Sequence, residues 1–209
     1  MLDKFIASHL SKPKGFFGRV VSFFMNRQNR RIYEKTINIL DVKDGEHILD
    51  IGCGNGFVLN MIAQNKSQNK NVKFTGIDIS ESIINAAKGR NREYISKGIM
   101  EFYVQDIGRM DFGDGSFDKV YTINTVYFWE DLDKTMVNIS RVLKPKGTFF
   151  NTLLPNETLE KFSFTKNGYK KHAKEQLIRA GKEAGFDVEI IPIFNGFANC
   201  YVYRKLGDG

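Results

Sequence analysis

The sequence predicts an α/β protein: a doubly wound, seven-stranded sheet, mostly parallel, with an antiparallel strand at the edge and a helical extension at the N-terminus. Three observations carry this. Ile48-Leu49-Asp50-Ile51 runs straight into Gly52-Cys53-Gly54-Asn55-Gly56 and then into residues 57–63, whose apolar side chains recur at helical spacing. A strand, a glycine turn and a helix in that order form the ligand-binding start of a doubly wound domain. Short apolar runs then alternate with amphipathic stretches, the pattern of a sheet with helices on its faces. Only a short loop, residues 193–197, separates the last two apolar runs, which favours an antiparallel hairpin at the sheet edge.

The elements follow in order. Residues 1–45 form the extension and residues 46–209 the ligand-binding domain. In the extension Phe16, Phe17, Val20, Val21, Phe23 and Phe24 cluster on one broad side of a helix, with Arg19, Arg27 and Arg30 largely elsewhere. A second amphipathic stretch puts Ile32, Thr36, Ile39 and Leu40 on one side. Asp44-Gly45 marks a turn before strand one at 47–51. A polar loop at 65–71 leads to strand two at 72–78. Ser80 is the expected N-cap of a helix reaching about Lys97. Strand three covers 100–104 and ends at Gln105-Asp106. A turn at 113–116 precedes strand four, 117–124. A helix over 131–143 is stopped by Lys144-Pro145-Lys146-Gly147, and strand five covers 148–153. A loop or insertion spans 155–172, a helix 174–184, and strands six and seven 187–192 and 198–204.

A chain of 209 residues fits one domain, and 42% hydrophobic content supports a sizeable core. No apolar run approaches the ~20 residues that span a bilayer. Residues 1–10 carry Asp3, Lys4 and His9 and lack a signal-peptide layout, so the cytoplasm is the expected compartment. Cys53 and Cys200 offer neither a disulfide framework nor metal spacing, and Cys53 reads as a small filler. The basic charge is localised. The first 35 residues hold eight Lys and Arg against Asp3 and Glu34, which accounts for six of the seven net positive charges. A basic arm on a neutral body is a weaker nucleic-acid signal than a uniformly basic domain.

The glycine spacing is G-x-G-x-G with Asp50 two residues ahead, not the G-x-G-x-x-G of dinucleotide folds. Here the chain resembles the class I S-adenosylmethionine-dependent methyltransferases. The resemblance implies a Rossmann-like fold, S-adenosyl-L-methionine as cofactor, S-adenosyl-L-homocysteine as product, and no metal. Asp50, Gly52, Cys53, Gly54, Asn55 and Gly56 are then cofactor-binding. Asp78 ends strand two, where a carboxylate can accept hydrogen bonds from a ribose diol; the bland reading is an acid at a helix N-terminus. Ile79 would pack on the adenine. The resemblance places Asp106 on the adenine amino group and the N–H of Ile107 on a ring nitrogen, against an ordinary turn aspartate. It places Asn124 along the methionine moiety. Residues 141–148 match the family's R-V-L-K-P-G-G turn, with Lys146 replacing the first glycine in what reads as a tolerant surface turn. The match covers residues 44–204, and residues 124–131 look like the small-molecule group related to ubiquinone and menaquinone methyltransferases.

Tyr127-Phe128-Trp129 follow at the ligand-facing edge. Exposed, they would line an acceptor pocket and face a cationic sulfonium; buried, they would pack under the N-terminal helices. His9, His47 and His172 are poorly placed for a general base, which leaves Tyr127 as the candidate. Asn124-Thr125-Val126-Tyr127 lacks the prolines of amino-methylating nucleic-acid enzymes, and no Tyr-x-x-x-Lys pair supports a nicotinamide oxidoreductase. The expected partner is a small-molecule acceptor. Nucleic acid is disfavoured as a partner; the alternative is an enzyme acting on RNA or on a membrane-associated acceptor through the basic arm, with peripheral membrane contact. A non-catalytic cofactor-binding protein is a further one. The sequence leaves the oligomeric state open.

Overall fold

The computed structural model describes residues 29–65, 71–166 and 168–207. The expected first helix, most of the basic arm and most of the loop at 65–71 lie outside the described residues. The chain runs α1 (residues 29–40), β1 (His47–Ile51), α2 (Phe57–Asn65), β2 (Lys73–Asp78), α3 (Glu81–Arg90), α4 (Arg92–Ser96) and β3 (Met100–Val104). It continues with β4 (Phe117–Ile123), α5 (Leu132–Val142), β5 (Leu143–Leu153), α6 (Asn156–Leu159), α7 (Lys174–Glu183), β6 (Phe186–Ile193) and β7 (Ala198–Lys205). The strands form one sheet in the order β3-β2-β1-β4-β5-β7-β6. β1 to β5 are parallel, and β7 is antiparallel to both β5 and β6. β6 therefore points the same way as the parallel five, and the hairpin it makes with β7 closes one edge.

Strand alternation sorts the core into two layers. Ile48 of β1 packs with Ile32, Tyr33, Ile37 and Leu40 of α1 and with Leu59 and Ile62 of α2. Leu49 and Ile51 face the other layer, with Met136, Ile139 and Val142 of α5 and Leu177 and Ala180 of α7. α1 presents Ile32, Tyr33, Thr36, Ile37 and Leu40 as its buried residues, a wider stripe than its pattern first indicates. Thr36 donates to the Ile32 carbonyl at 2.9 Å and lies 3.0 Å from the Thr152 hydroxyl, so α1 is tied to the carboxyl half of β5.

Four local expectations are corrected. The helix expected from Ser80 to Lys97 breaks at Asn91. The Asn91 amide donates to the carbonyls of Ala87 and Gly56, at 2.9 and 3.2 Å, and so competes with the helical ladder. Ser80 holds the N-cap position without a side-chain cap; its hydroxyl pairs with that of Ser82. The insertion at 155–172 contains α6 and a 3-10 turn, Ser163–Lys166. β5 begins at Leu143 itself, which pairs with Phe117 before a bulge and resumes at Thr148 opposite Lys119.

That bulge revises the reading of Lys146. Its φ is +64°, a left-handed conformation that costs a residue with a Cβ about 1–2 kcal/mol. Lys146 is exposed, so its side chain does nothing to offset this. Lys146→Gly is expected to raise stability by about 1 kcal/mol, less whatever the unfolded chain gains in freedom. An upward shift of the urea midpoint at constant slope would show it; a downward shift would contradict it. Arg141, in the same motif, donates to the carbonyls of Met110 and Phe112 at 2.9 and 2.6 Å and pairs with Asp114 at 2.8 Å. It fastens the loop before β4 to α5, a structural role.

Candidate active site

The carboxyl ends of β1, β2, β3 and β4 share one edge, because the strands are parallel neighbours. Asp50, the glycine turn, Asp78, Asp106 and Asn124 therefore come together there. Gly52, Gly54 and Gly56 all have positive φ, +68°, +53° and +68°. Their surroundings differ. A Cβ on Gly52 would lie 2.6 Å from Thr125 Cγ2, and one on Gly56 2.5 Å from Asn91 Nδ2. A Cβ on Gly54 would meet nothing within 4 Å. Two glycines thus permit packing, and one leaves bare backbone facing open space. Arg90 straps the turn: its Nε donates to the Asn55 carbonyl at 3.1 Å and its guanidinium lies 5.4 Å from the centre of the Phe57 ring.

Asp78 joins β2 to this turn. One carboxylate oxygen accepts from the Gly54 N–H at 3.2 Å and the other from the Ser80 N–H at 3.0 Å. Burial raises its pKa, and these backbone donors pull it back. Ile79 beside it is 45% exposed, a flat apolar surface next to the acid. Asp106 accepts from the Gly108 N–H at 2.7 Å and so caps the 3-10 turn Ile107–Arg109. The turn-aspartate role is present there, and Ile107 is half-buried against the core. Asn124 takes φ +58° at the end of β4, and its N–H donates to the Thr152 carbonyl at 2.8 Å. Asparagine tolerates this region better than most residues.

Asp50 is buried and accepts from the Tyr121 hydroxyl at 2.7 Å. Burial raises its pKa to about 7, the Tyr121 hydrogen bond opposes the rise, and the Asp78 charge adds to it. Tyr33 of α1 also faces it; burial pushes that phenol up to about 12, so it stays neutral. Cys53 is buried, and burial first, then Asp50 and Asp78, push its thiol well above the ordinary range; it is a filler. The folded pKa of Asp50 lies above its unfolded one, so its stabilising contribution is full at acid pH and is lost as pH rises through about 7. A cationic ligand at this edge favours the ionised form, so its affinity should rise severalfold from pH 6 to pH 8. Asp50→Asn should flatten that profile in a titration series; an unchanged profile would remove Asp50 from the binding linkage.

The aromatic trio is corrected by its packing. Trp129 is buried against Phe149 in the layer under α5 and α7, and its Nε1 donates to the Thr125 hydroxyl at 3.2 Å. Tyr127 is buried too. Its hydroxyl donates to the Leu154 carbonyl at 3.0 Å and accepts from the Leu154 N–H at 2.6 Å. Burial raises its pKa further from neutrality. A phenol so engaged is a latch between the loop after β4 and the end of β5, which argues against the base expected of Tyr127. Tyr127→Phe should cost about 1–3 kcal/mol through the unpaired Leu154 groups while leaving kcat within a few-fold. Loss, in that variant, of a limb of the pH–rate profile that rises toward alkaline pH would restore it as a base. Phe128 is half-buried, its ring edge-on to Tyr169 at 4.9 Å, so of the three it is the one that reaches the surface of the edge.

His172 precedes α7 in the sequence, away from the ends of the parallel strands. In the fold it is half-buried and hydrogen-bonded to the backbone of Val126, in the loop that follows Asn124. Burial lowers its pKa, and its Nε2 is buried with no partner. Nothing in the sequence pattern signals this, because residues 127 and 170 meet only in the fold, where the Lys170 N–H donates to the Tyr127 carbonyl at 2.9 Å. Among the described residues no cluster of three His, Cys, Asp or Glu is arranged to hold a metal. No helix among them is long and apolar enough to cross a membrane.

The family model described as "Methyltransferase domain" matches residues 42–184. The uncharacterized methyltransferase YdaC of Bacillus subtilis (strain 168) is 29% identical over 172 residues, 82% of this chain and 88% of that protein. Sterol 4-C-methyltransferase strm-1 of Caenorhabditis elegans is 34% identical over 144 residues, 68% of this chain but 39% of that protein, so the chain spans under half of that relative. Among solved structures, the complex of the Haloferax volcanii Trm112 methyltransferase activator with a methyltransferase gives a TM-score of 0.75 at 19% identity. That match covers 87% of this chain and 92% of the other, and shows a shared fold.

Proposed function

Since the chain belongs to the class I S-adenosylmethionine-dependent methyltransferases, we propose that it transfers a methyl group to a small-molecule acceptor at the edge formed by Gly54, Asp78 and Asn124. The observation that carries this is the open space at Gly54 beside the Asp78 carboxylate. A ligand can lie against backbone there, with a carboxylate in reach of a diol and Ile79 presenting an apolar face. These residues fit the cofactor. Asp78 would hold the ribose, Ile79, Asp106 and Ile107 the adenine, and Asp50, Asn55 and Asn124 the methionine end.

When bound, S-adenosylmethionine supplies a methyl group already activated as a sulfonium. The protein's contribution is then chiefly positioning, which supplies up to ~7–11 kcal/mol in the best cases. Gly52 and Gly56 set the turn, Asp78 fixes the Gly54 N–H, and Asp50 and Asp78 place negative charge where a cation must sit. Tyr33 of α1, whose ring centre lies 6.1 Å from that of Phe57, supports a role for the N-terminal segment as a cover that excludes water. Phe128 and Tyr169 offer the acceptor an aromatic wall. His172, hydrogen-bonded to the backbone of Val126 in the loop after β4, is held toward its neutral form by burial, and its buried Nε2 would have to be uncovered before it could take a proton from an acceptor.

The test is transfer of labelled methyl from S-adenosylmethionine to fractionated cell extract. Label in the small-molecule or lipid fraction supports the reading. Label only in RNA or protein, or none with cofactor bound, overturns it in favour of a macromolecular acceptor or a binding protein.

A further inference from the structure

The tip of the β6–β7 hairpin carries two aromatic side chains in solvent: Phe194 is 43% and Phe197 41% exposed. Both neighbours, Ile193 and Ala198, are buried and paired across the hairpin, so the tip projects from a firm base. Three successive residues are left-handed, with φ of +51° at Phe194, +56° at Asn195 and +85° at Gly196. Asn195-Gly196 suits such a tight turn. Phe194 does not: a bulky residue at positive φ is an outlier. The fold thus holds at positive φ a phenylalanine whose ring is only partly covered.

The surroundings of the tip are basic. Phe194 shares a shallow open groove with Arg31, Glu34, Lys35 and Asn38 of α1. Glu34 is taken up by Arg30, 3.0 Å away. Arg31 and Lys35 are exposed, with no acidic partner among the described residues. Two exposed phenylalanines beside uncompensated cations complement an anionic bilayer, with rings entering the headgroup boundary and cations meeting phosphates.

Position adds a reason. β6 runs with the parallel strands, so its carboxyl end and the hairpin tip lie on the same edge as Gly54, Asp78 and Asn124. The first half of α1 reaches that edge, with Thr36 on β5 and Tyr33 against Phe57 of the glycine-turn helix, while the residue after its last turn, Asp41, accepts from Lys119 at the amino end of β4. We propose that the hairpin tip with the Arg31–Lys35 face of α1 is a docking surface for an anionic lipid bilayer. It turns the cofactor edge toward the membrane. The proposal uses described residues only, Arg31 and Lys35 being the last two cations of the basic arm, and it stands whether or not methyl transfer is the activity.

The experiment is flotation of the full chain with phosphatidylcholine vesicles, with and without phosphatidylglycerol. The parent is expected to bind the anionic vesicles and release in high salt. Phe194→Ser with Phe197→Ser should lower partitioning about tenfold, and Arg31→Glu with Lys35→Glu should lower it on anionic vesicles alone. All chains keep residues 1–28 unchanged, so these differences report the hairpin tip and the α1 face. A third arm, Phe194→Trp, retains an aromatic tip. Its fluorescence should shift to the blue on vesicle addition against the buried Trp129 background. No binding by the parent, unchanged partitioning in both double variants, or a tip tryptophan that stays in water would each overturn the proposal.

Discussion

Gly54→Ala is expected to weaken S-adenosylhomocysteine binding about a hundredfold while costing only about 1 kcal/mol of stability. The two numbers have separate origins. The fold cost is that of an L-residue at φ +53°, since the new methyl meets no protein atom within 4 Å. The binding cost comes from a methyl standing where the ligand would lie on backbone, an overpacking of about 1–3 kcal/mol whose upper end is roughly a hundredfold. The neighbouring glycines should behave in reverse. Gly52→Ala drives a Cβ into the Thr125 methyl, and Gly56→Ala into the Asn91 amide. Asn91 also accepts from Asn60 Nδ2 at 2.9 Å, so Gly56→Ala disturbs α2, α3 and the turn together. Losses of about 2–4 kcal/mol are expected for these two. Melting and titration of the three variants side by side decide the matter. A Gly54 variant that binds normally would mean the open space is not the ligand's.

Asp78→Ala should have a comparable or larger effect on affinity. The carboxylate holds the Gly54 and Ser80 N–H groups, so its loss frees the glycine turn and removes the acceptor assigned to the ribose. Hydrogen bonds to a charged group contribute about 1.5–3 kcal/mol each, so a loss of at least about a hundredfold is expected. Asp78→Asn keeps the shape and should lose less. A second readout separates binding from mere damage. Asp78 adds to the raised pKa of Asp50, so either substitution should move the affinity–pH midpoint below about 7. A midpoint that stays put would mean that the two acids do not share a site.

Much of this fold is legible in the chain. β1 and β3 fall at the expected bounds because apolar runs are cut there by glycine or by polar residues. That Asp50, Asp78, Asp106 and Asn124 come to one edge is legible because parallel strands bring their carboxyl ends together whatever the detail of the helices. What escaped was set by contacts distant in sequence. Trp129 reads as a ligand-facing aromatic until Phe149 and α5 close over it. Tyr127 reads as a titrating phenol until Leu154 takes both sides of its hydroxyl. Asn91 reads as one more helical residue until its amide meets the Gly56 carbonyl. Lys146 reads as harmless because a sequence does not display the sign of φ. His172 is reached only through the crossing of the 155–172 insertion over the loop after β4.

The most direct measurement is isothermal titration of the full chain with S-adenosylhomocysteine, with NADH as control. Micromolar binding of S-adenosylhomocysteine and no heat from NADH are expected. Binding of NADH, with S-adenosylhomocysteine ignored, would contradict the assignment of the Gly54–Asp78 edge to S-adenosylmethionine.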